Sequence, residues 1–287
     1  MTALLAVSRY TLLELSRRRI LLVFFLIGAV GTLLLGVGLK VIYSVASTSV
    51  GAQDPARFQK FLELSFISDL YGALGVFGLL IAFAIGMTAI YHDLDSGAAV
   101  SILSKPVSRA EYSAGKIGAA AVALVVIVGL LAIEARLVML LFQGGLESSL
   151  TGEVVATLGN ALLVMLLVLA LSTWMNNIVA AIVAFVYNNV VTGAIVAVHS
   201  LTHGGGIDNQ VVKSIFDVLY WVVPHALISS APGDLAKAQL ELANSPRGSE
   251  TLALIPQASG AGDVAWWAFL VLLFSTLVYV AVRRRQV

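Results

Sequence analysis

The sequence predicts an all-α membrane protein with six transmembrane helices in a single domain, residues 1–287. Hydrophobic residues make up 59% of the chain and charged residues 11%, whereas soluble proteins carry about 25% charged residues. Six apolar segments are long enough to cross the hydrocarbon core of a bilayer, which takes about 20 residues of helix. Lys and Arg gather on one side of these segments. Together these observations predict a multi-pass membrane protein.

The six predicted spans follow each other with one long interruption. They cover Ile20–Tyr43, Phe66–Tyr91, Ile117–Phe142, Val154–Met175, Ile178–Val198 and Val264–Val282.

Residues 1–19 precede the first span. Arg17, Arg18 and Arg19 follow a mildly apolar stretch and lead into a longer one, which differs from a cleaved signal peptide. The segment is interpreted either as an interfacial helix or as a positively charged topology signal.

The external segment, residues 199–263, contains a shorter apolar run from Ser214 to Ile228. Asp217 and Pro224 interrupt it, and a proline removes a backbone donor that lipid cannot replace. We therefore predict a re-entrant or interfacial helix here rather than a seventh span.

Orientation follows from the Lys and Arg residues near the span ends. With six spans, both termini share one side with the cationic residues Arg9, Arg17, Arg18, Arg19, Lys105, Arg109, Lys116, Arg283, Arg284 and Arg285. Both termini are therefore expected in the cytoplasm, with the protein in the cell inner membrane. Lys plus Arg (17) nearly balance Asp plus Glu (16), so lipid rather than nucleic acid is the expected partner surface.

The cytoplasmic loop of residues 92–116 has the most specific sequence in the chain. Ser96 and Gly97 suit a turn, and Ala98–Ser104 predicts a short helix that Pro106 ends. Ser108 and Glu111 have the spacing of a capping box, which predicts the start of the third span's helix. The residues alone are also compatible with an ordinary polar hairpin.

This loop resembles the one after the second span in ABC-2 type ABC transporter permeases. The resemblance rests on Asp95, Ser96, Gly97, Leu103, Ser104, Lys105, Pro106, Val107, Ser108, Arg109, Glu111, Tyr112, Gly115 and Lys116. It extends more weakly to the N-terminal Arg cluster, the six spans and the aromatic-Val-Val-Pro stretch before the last span.

The resemblance implies a coupling helix in this loop, an ABC ATPase subunit as partner, and a second permease copy or a paralogue. Apart from Asp95, Tyr112 and Gly115, the residues just named are the expected ATPase-coupling residues. Transport, most readily export, would then be driven by the partner.

The chain carries no ATP-binding motif of its own. Gly115 and Lys116 are followed by Ile117 and lack the earlier glycine of a P-loop. We therefore expect no enzyme activity and no cofactor in this chain, with ATP and Mg²⁺ bound by the partner ATPase.

Polar residues within the spans are candidates for a substrate pathway, because burying them in lipid is costly without partners. These candidates are Asp69, Tyr187, Asn188, Asn189 and Thr192. The two asparagines are equally compatible with helix packing. The pathway candidates are mostly neutral, which disfavours a small, highly charged ion as substrate.

No metal site is predicted. His199 and His203 are four residues apart, but His203 enters a glycine-rich turn, so they are interpreted as ordinary surface histidines. Coordination of a metal ion by these two residues with His225 is the alternative. Two other functional classes remain open, a membrane-embedded enzyme and a membrane-anchored assembly factor without transport activity.

Overall fold

The computed structural model describes residues 3–49, 55–104, 107–142, 149–203, 209–243 and 257–284. Within these ranges the chain forms twelve α-helices and one π-helical turn. They are α1 (Ala3–Ser16), α2 (Arg19–Ser49), α3 (Pro55–Thr88), α4 (Tyr91–Asp95), α5 (Ala98–Leu103), α6 (Arg109–Phe142), α7 (Ser149–Ser172), α8 (Asn177–Val186), the π-helical turn (Tyr187–Val191), α9 (Thr192–His203), α10 (Gln210–Val222), α11 (Ala231–Ala243) and α12 (Ala261–Arg284).

In the described residues, six helical stretches are long and apolar enough to cross a membrane, as the sequence predicts. They are Arg19–Ile42, Lys60–Asp93, Arg109–Leu140, Thr151–Ser172, Asn177–His203 and Ala261–Arg284. The fifth stretch combines α8, the π-helical turn and α9. No strand occurs in the described ranges, so the all-α prediction is confirmed for them.

The second and fourth spans form the centre of the bundle. Each buries 56% of its most apolar window, whereas the fifth span buries only 17%. Ile81 and Ile85 of α3 and Leu169 of α7 belong to the main buried cluster. The outer spans expose apolar side chains, as expected for surfaces that face lipid.

The bundle has two functional ends. Helices α3 and α7 run in the same direction, since Thr157 lies beside Gly78 and Ser172, further along α7, contacts Gly86, further along α3. We call the end that carries α1, α4 and α5 the α4–α5 end. The opposite end, which carries α10 and α11, is the α10–α11 end.

The described part of the N-terminal segment forms helix α1. Val7, Thr11 and Leu15 recur every fourth residue and form its buried side. This side packs against α6, so α1 is part of the helical bundle.

The described part of the segment between the fifth and sixth spans contains two shorter helices. Helix α10 has 13 residues and is therefore about 20 Å long, too short to cross a hydrocarbon core of about 30 Å. It ends before Pro224. The side-chain amide of Asn160 on α7 then donates to the carbonyl of Leu227 at 2.9 Å and accepts from its N–H at 2.7 Å. This pair of bonds fixes the segment to the fourth span.

Candidate functional site at the α4–α5 end

The 92–116 loop folds into two short helices joined at Gly97. Gly97 has a φ of +73°, a left-handed conformation that glycine adopts at little cost. Before it, the Ser96 hydroxyl donates to the His92 carbonyl at 2.7 Å. Helix α5 follows from Ala98, which agrees with the predicted short helix. Lys105 and Pro106 lie outside the described residues, as does the side chain of Leu103.

Ser108 and Glu111 form the predicted capping box at the start of α6. The Ser108 N–H donates to the Glu111 carboxylate at 2.9 Å, and the Glu111 N–H donates to the Ser108 hydroxyl oxygen at 3.1 Å. Two backbone donors that the helix leaves unpaired are thereby satisfied. The bonds fix the point at which the loop enters the third span.

The next residue, Arg109, joins this point to the sixth span. Its guanidinium donates to the backbone carbonyl of Arg283 at 2.5 Å. That carbonyl lies in the last turn of α12, where carbonyls have no partner within the helix. Arg109 therefore caps the C-terminal end of the sixth span.

A buried charge cluster lies beneath the loop. The Nζ atom of Lys116 is 2.6 Å from the Asp93 carboxylate and 3.2 Å from the Glu14 carboxylate. The Lys116 side chain is 0% exposed and that of Asp93 is 2% exposed. The Tyr112 hydroxyl also donates to Asp93, at 3.0 Å. We call Glu14, Asp93, Tyr112 and Lys116 the Lys116 cluster.

The cluster joins three parts of the chain. Glu14 comes from α1, Asp93 from α4 and Lys116 from α6. Arg18 forms a second ion pair with Glu14. Burial tends to raise the pKa of Glu14, but hydrogen bonds and charges from Arg18 and Lys116 outweigh it and lower the pKa below 4.5. The carboxylate is therefore charged at neutral pH.

Helix α1 approaches α6 most closely at Gly115. A Cβ atom at this position would lie 2.9 Å from the Val7 side chain and 3.2 Å from the Leu4 carbonyl oxygen. In addition, the Ser8 hydroxyl donates to the Gly115 carbonyl at 3.2 Å. Glycine at 115 thus allows the contact that brings Glu14 to Lys116.

An apolar groove of about 350 Å³ opens between α1 and α5. It is lined by Ala3, Ala6, Val7, Tyr10, Ala98, Ile102 and Val107. Among the predicted coupling residues, Val107 therefore lines this groove and Ser104 is exposed nearby. Lys116, by contrast, is enclosed in the cluster, so it supports the loop from within and is not part of its accessible surface.

The predicted pathway residues divide into two groups. Tyr187 and Asn188 line a small cavity of about 10 Å³ together with Asn160 and His225. Asn189 is exposed, and its amide donates to the carbonyl of Phe185 in its own helix at 3.0 Å.

Thr192 and Asp69 complete the predicted pathway set. Thr192 is buried, and its hydroxyl donates to the Tyr187 carbonyl at 2.9 Å across the π-helical turn. Asp69 is an exposed residue of α3 and does not line the cavity of Tyr187 and Asn188 among the described residues.

Several residues of these sites were not predicted. Glu14 lies 102 residues from its partner Lys116, and nothing local in the sequence marks the pair. Asn160 carried a usable signal, because it is an asparagine within the apolar fourth span and polar residues there need partners.

Comparison of the sequence with models of known protein families found no match, and a search of curated proteins found no relative.

Proposed function

We propose that this chain is the membrane-spanning permease subunit of an ABC exporter and works with a separate ATPase subunit. Helix α5 is the coupling helix, and the α4–α5 end faces the cytoplasm. The permease pairs with a second copy or a paralogue, and the ATPase binds ATP and Mg²⁺. Substrate moves by alternating access, so no covalent chemistry falls to this chain.

The observation that carries this proposal is the Lys116 cluster. A coupling element must pass movement to the spans rather than absorb it. Removing one partner of a buried ion pair costs several kcal/mol, about 3–5 in measured cases. The cluster therefore links α1, the end of the second span and the start of the third span, so that displacement of the loop moves all three.

The groove between α1 and α5 supports the same proposal. Its lining is apolar, and interface energy is concentrated in apolar side chains that a partner covers. Charged residues at the edge of an interface mainly set its orientation and association rate. The groove is proposed to receive an apolar side chain of the ATPase.

The substrate pathway is proposed to pass Tyr187 and Asn188 on the fifth span. Both line the cavity shared with Asn160 and His225, and π-helical turns within α-helices occur often at functional sites. The cavity lining contains no Asp, Glu, Lys or Arg among the described residues, which disfavours a small, highly charged ion as substrate.

Co-purification tests the proposal. The full chain, with an affinity tag, is purified in detergent from its native cells, and the association of an ABC ATPase and the rate of ATP hydrolysis are measured. Ile102→Asp introduces a charge into the groove and is expected to lower ATPase association by about tenfold or more, as for loss of an interface hot spot.

Ala110→Asp is the matched control. It adds the same charge to the same loop, but at an exposed position outside the groove, so association should remain near that of the unchanged protein. Gel filtration and thermal unfolding establish that both variants are folded. A folded Ile102→Asp protein with unchanged association would contradict α5 as the docking element. Complete absence of ATPase association would favour the assembly-factor alternative.

A further inference from the structure

At the α10–α11 end, two histidines and one aspartate converge from two helices. His199 and His203 lie one turn apart on α9, and Asp217 lies on α10, which packs against α9. The Nε2 atom of His199 is 3.4 Å from Oδ1 of Asp217, and that of His203 is 3.5 Å from the same oxygen. We call these three residues the His-His-Asp cluster.

The spacing of these atoms matches the ligand shell of a small metal ion. Zn²⁺ binds imidazole nitrogen and carboxylate oxygen at about 2.0–2.2 Å in a tetrahedron, which separates neighbouring ligand atoms by about 3.3–3.6 Å. Both nitrogen-to-oxygen distances in the cluster fall in this range. One potential ligand atom from each of the three residues lies within 4.8 Å of the others.

The two contacts are not hydrogen bonds. Oδ1 of Asp217 is buried and has no hydrogen-bond partner among the described residues, although two imidazole nitrogens lie beside it. A buried carboxylate oxygen without a partner is costly. A cation bound between the three side chains would remove that cost.

A backbone carbonyl next to the His203 ring favours the tautomer that metal binding requires. Nδ1 of His203 lies 3.1 Å from the backbone carbonyl of His199. If Nδ1 carries the proton and donates to this carbonyl, the lone pair of Nε2 is directed at the cluster. Such a second hydrogen bond is typical of metal-binding histidines.

Stacked aromatic rings hold His199 in place. Its ring lies between His203, at a centroid distance of 4.2 Å, and Tyr220, at 4.1 Å. Tyr220 in turn stacks on His225 at 3.9 Å. The Tyr220 hydroxyl donates to Asp263 at 3.0 Å, so the column is anchored at the start of α12.

We propose that His199, His203 and Asp217 bind a divalent transition-metal ion, with Zn²⁺ as the representative ion. Two imidazoles and one carboxylate suit Zn²⁺ and its neighbours in hardness, and three protein ligands leave a fourth position open for water or another ligand. The proposal is independent of the permease proposal. It replaces the interpretation of His199 and His203 as ordinary surface histidines.

The test is Zn²⁺ binding by the full chain, purified in detergent without a polyhistidine tag and treated with a chelator. Isothermal titration calorimetry and elemental analysis should find about one Zn²⁺ per chain. Asp217→Asn keeps the side-chain shape but removes the charged ligand, and His203→Gln removes an imidazole. Each should weaken Zn²⁺ affinity by more than about tenfold. His92→Gln, which removes an exposed histidine at the opposite end, should leave it unchanged.

A cysteine at position 217 separates metal ligation from a structural role of the carboxylate. The chain has no other cysteine, and a thiolate is a good ligand for Zn²⁺ and Co²⁺. The Asp217→Cys protein should retain Zn²⁺ and, with Co²⁺, show a sulfur-to-cobalt charge-transfer band. Loss of metal binding in a folded Asp217→Cys protein would overturn the proposal, as would unchanged affinity in both Asp217→Asn and His203→Gln proteins.

Discussion

The ammonium group of Lys116 lies 2.6 Å from the carboxylate of Asp93, and both side chains are buried. Lys116 also forms an ion pair with Glu14 of α1, which is in turn paired with Arg18. A single residue at the start of the third span thus forms ion pairs with carboxylates from two other elements.

Replacing this lysine should destabilise the protein strongly. Lys116→Met keeps most of the side-chain volume but leaves Asp93 as a buried charge without a cation, a change that typically costs about 3–5 kcal/mol. The measurement is the free energy of unfolding in detergent. Lys237→Met is the control, because Lys237 is 63% exposed and 3.8 Å from Asp234. Its loss should cost about 0.5 kcal/mol or less. Equal costs in the two variants would argue against an essential cluster.

The contact between α1 and α6 should depend on Gly115. Gly115→Leu would insert a side chain where even a Cβ atom lies 2.9 Å from Val7, so α1 must move and thermal stability should fall. Gly118→Leu, on the same helix, has open space around its Cβ position. That variant should be as stable as the unchanged protein or more stable, because leucine favours helix over glycine. A similar melting temperature for both variants would show that α1 is not tightly packed.

The cluster also predicts a pH dependence. The pKa of Glu14 is lowered in the folded protein, below 4.5. Its contribution to stability is therefore complete above about pH 4.5 and is lost as the pH falls through the folded pKa, because the unfolded chain takes up the proton first. Comparison with Glu14→Gln isolates this effect. The stability difference between the two proteins should shrink on acidification, and a difference that grew at low pH would contradict the assignment.

Asn160 should hold residues 224–228 in place. Asn160→Leu leaves the N–H and carbonyl of Leu227 without these partners and should cost about 1–3 kcal/mol. Limited proteolysis and thermal unfolding measure the effect. Asn189→Leu makes the same exchange at an exposed asparagine that bonds only within its own helix among the described contacts, and it should change stability little.

Orientation can be measured with single cysteines, since the chain has none. Ser104→Cys lies at the α4–α5 end and Gln239→Cys on α11, both at exposed positions. In intact cells an impermeant thiol reagent should label Gln239→Cys, and Ser104→Cys only after lysis. Labelling of Ser104→Cys in intact cells would reverse the proposed orientation.

Features set by local sequence were predictable. The spans follow from runs of apolar residues, and the Ser108–Glu111 box follows from a spacing of three residues, because both depend on interactions within one helix. Hydropathy alone does not predict where α6 begins. The helix starts at Arg109, ahead of the apolar run that begins at Ile117.

Features set by packing were not predictable from one sequence. The sequence does not distinguish Lys116 from the other cytoplasmic cations, because its partner Glu14 is distant in sequence. In the sequence, Asp217 only interrupts an apolar run, because its position beside His199 and His203 depends on how α10 packs on α9. Pairs of this kind arise from the fold, and periodicity does not encode them.

The π-helical turn at Tyr187–Val191 determines the direction in which the side chains of α9 point around the axis of the fifth span. A π-bulge amounts to one residue added to an α-helix, and each residue of an α-helix turns the chain by about 100° and advances it by about 1.5 Å. Deleting one residue here, for example Val190, would let α8 and α9 join as a regular helix. The imidazoles of His199 and His203 would then swing by about 100°, away from α10 and Asp217. One additional residue in the middle of the span thus determines which side of α9 faces α10, several turns further along the chain.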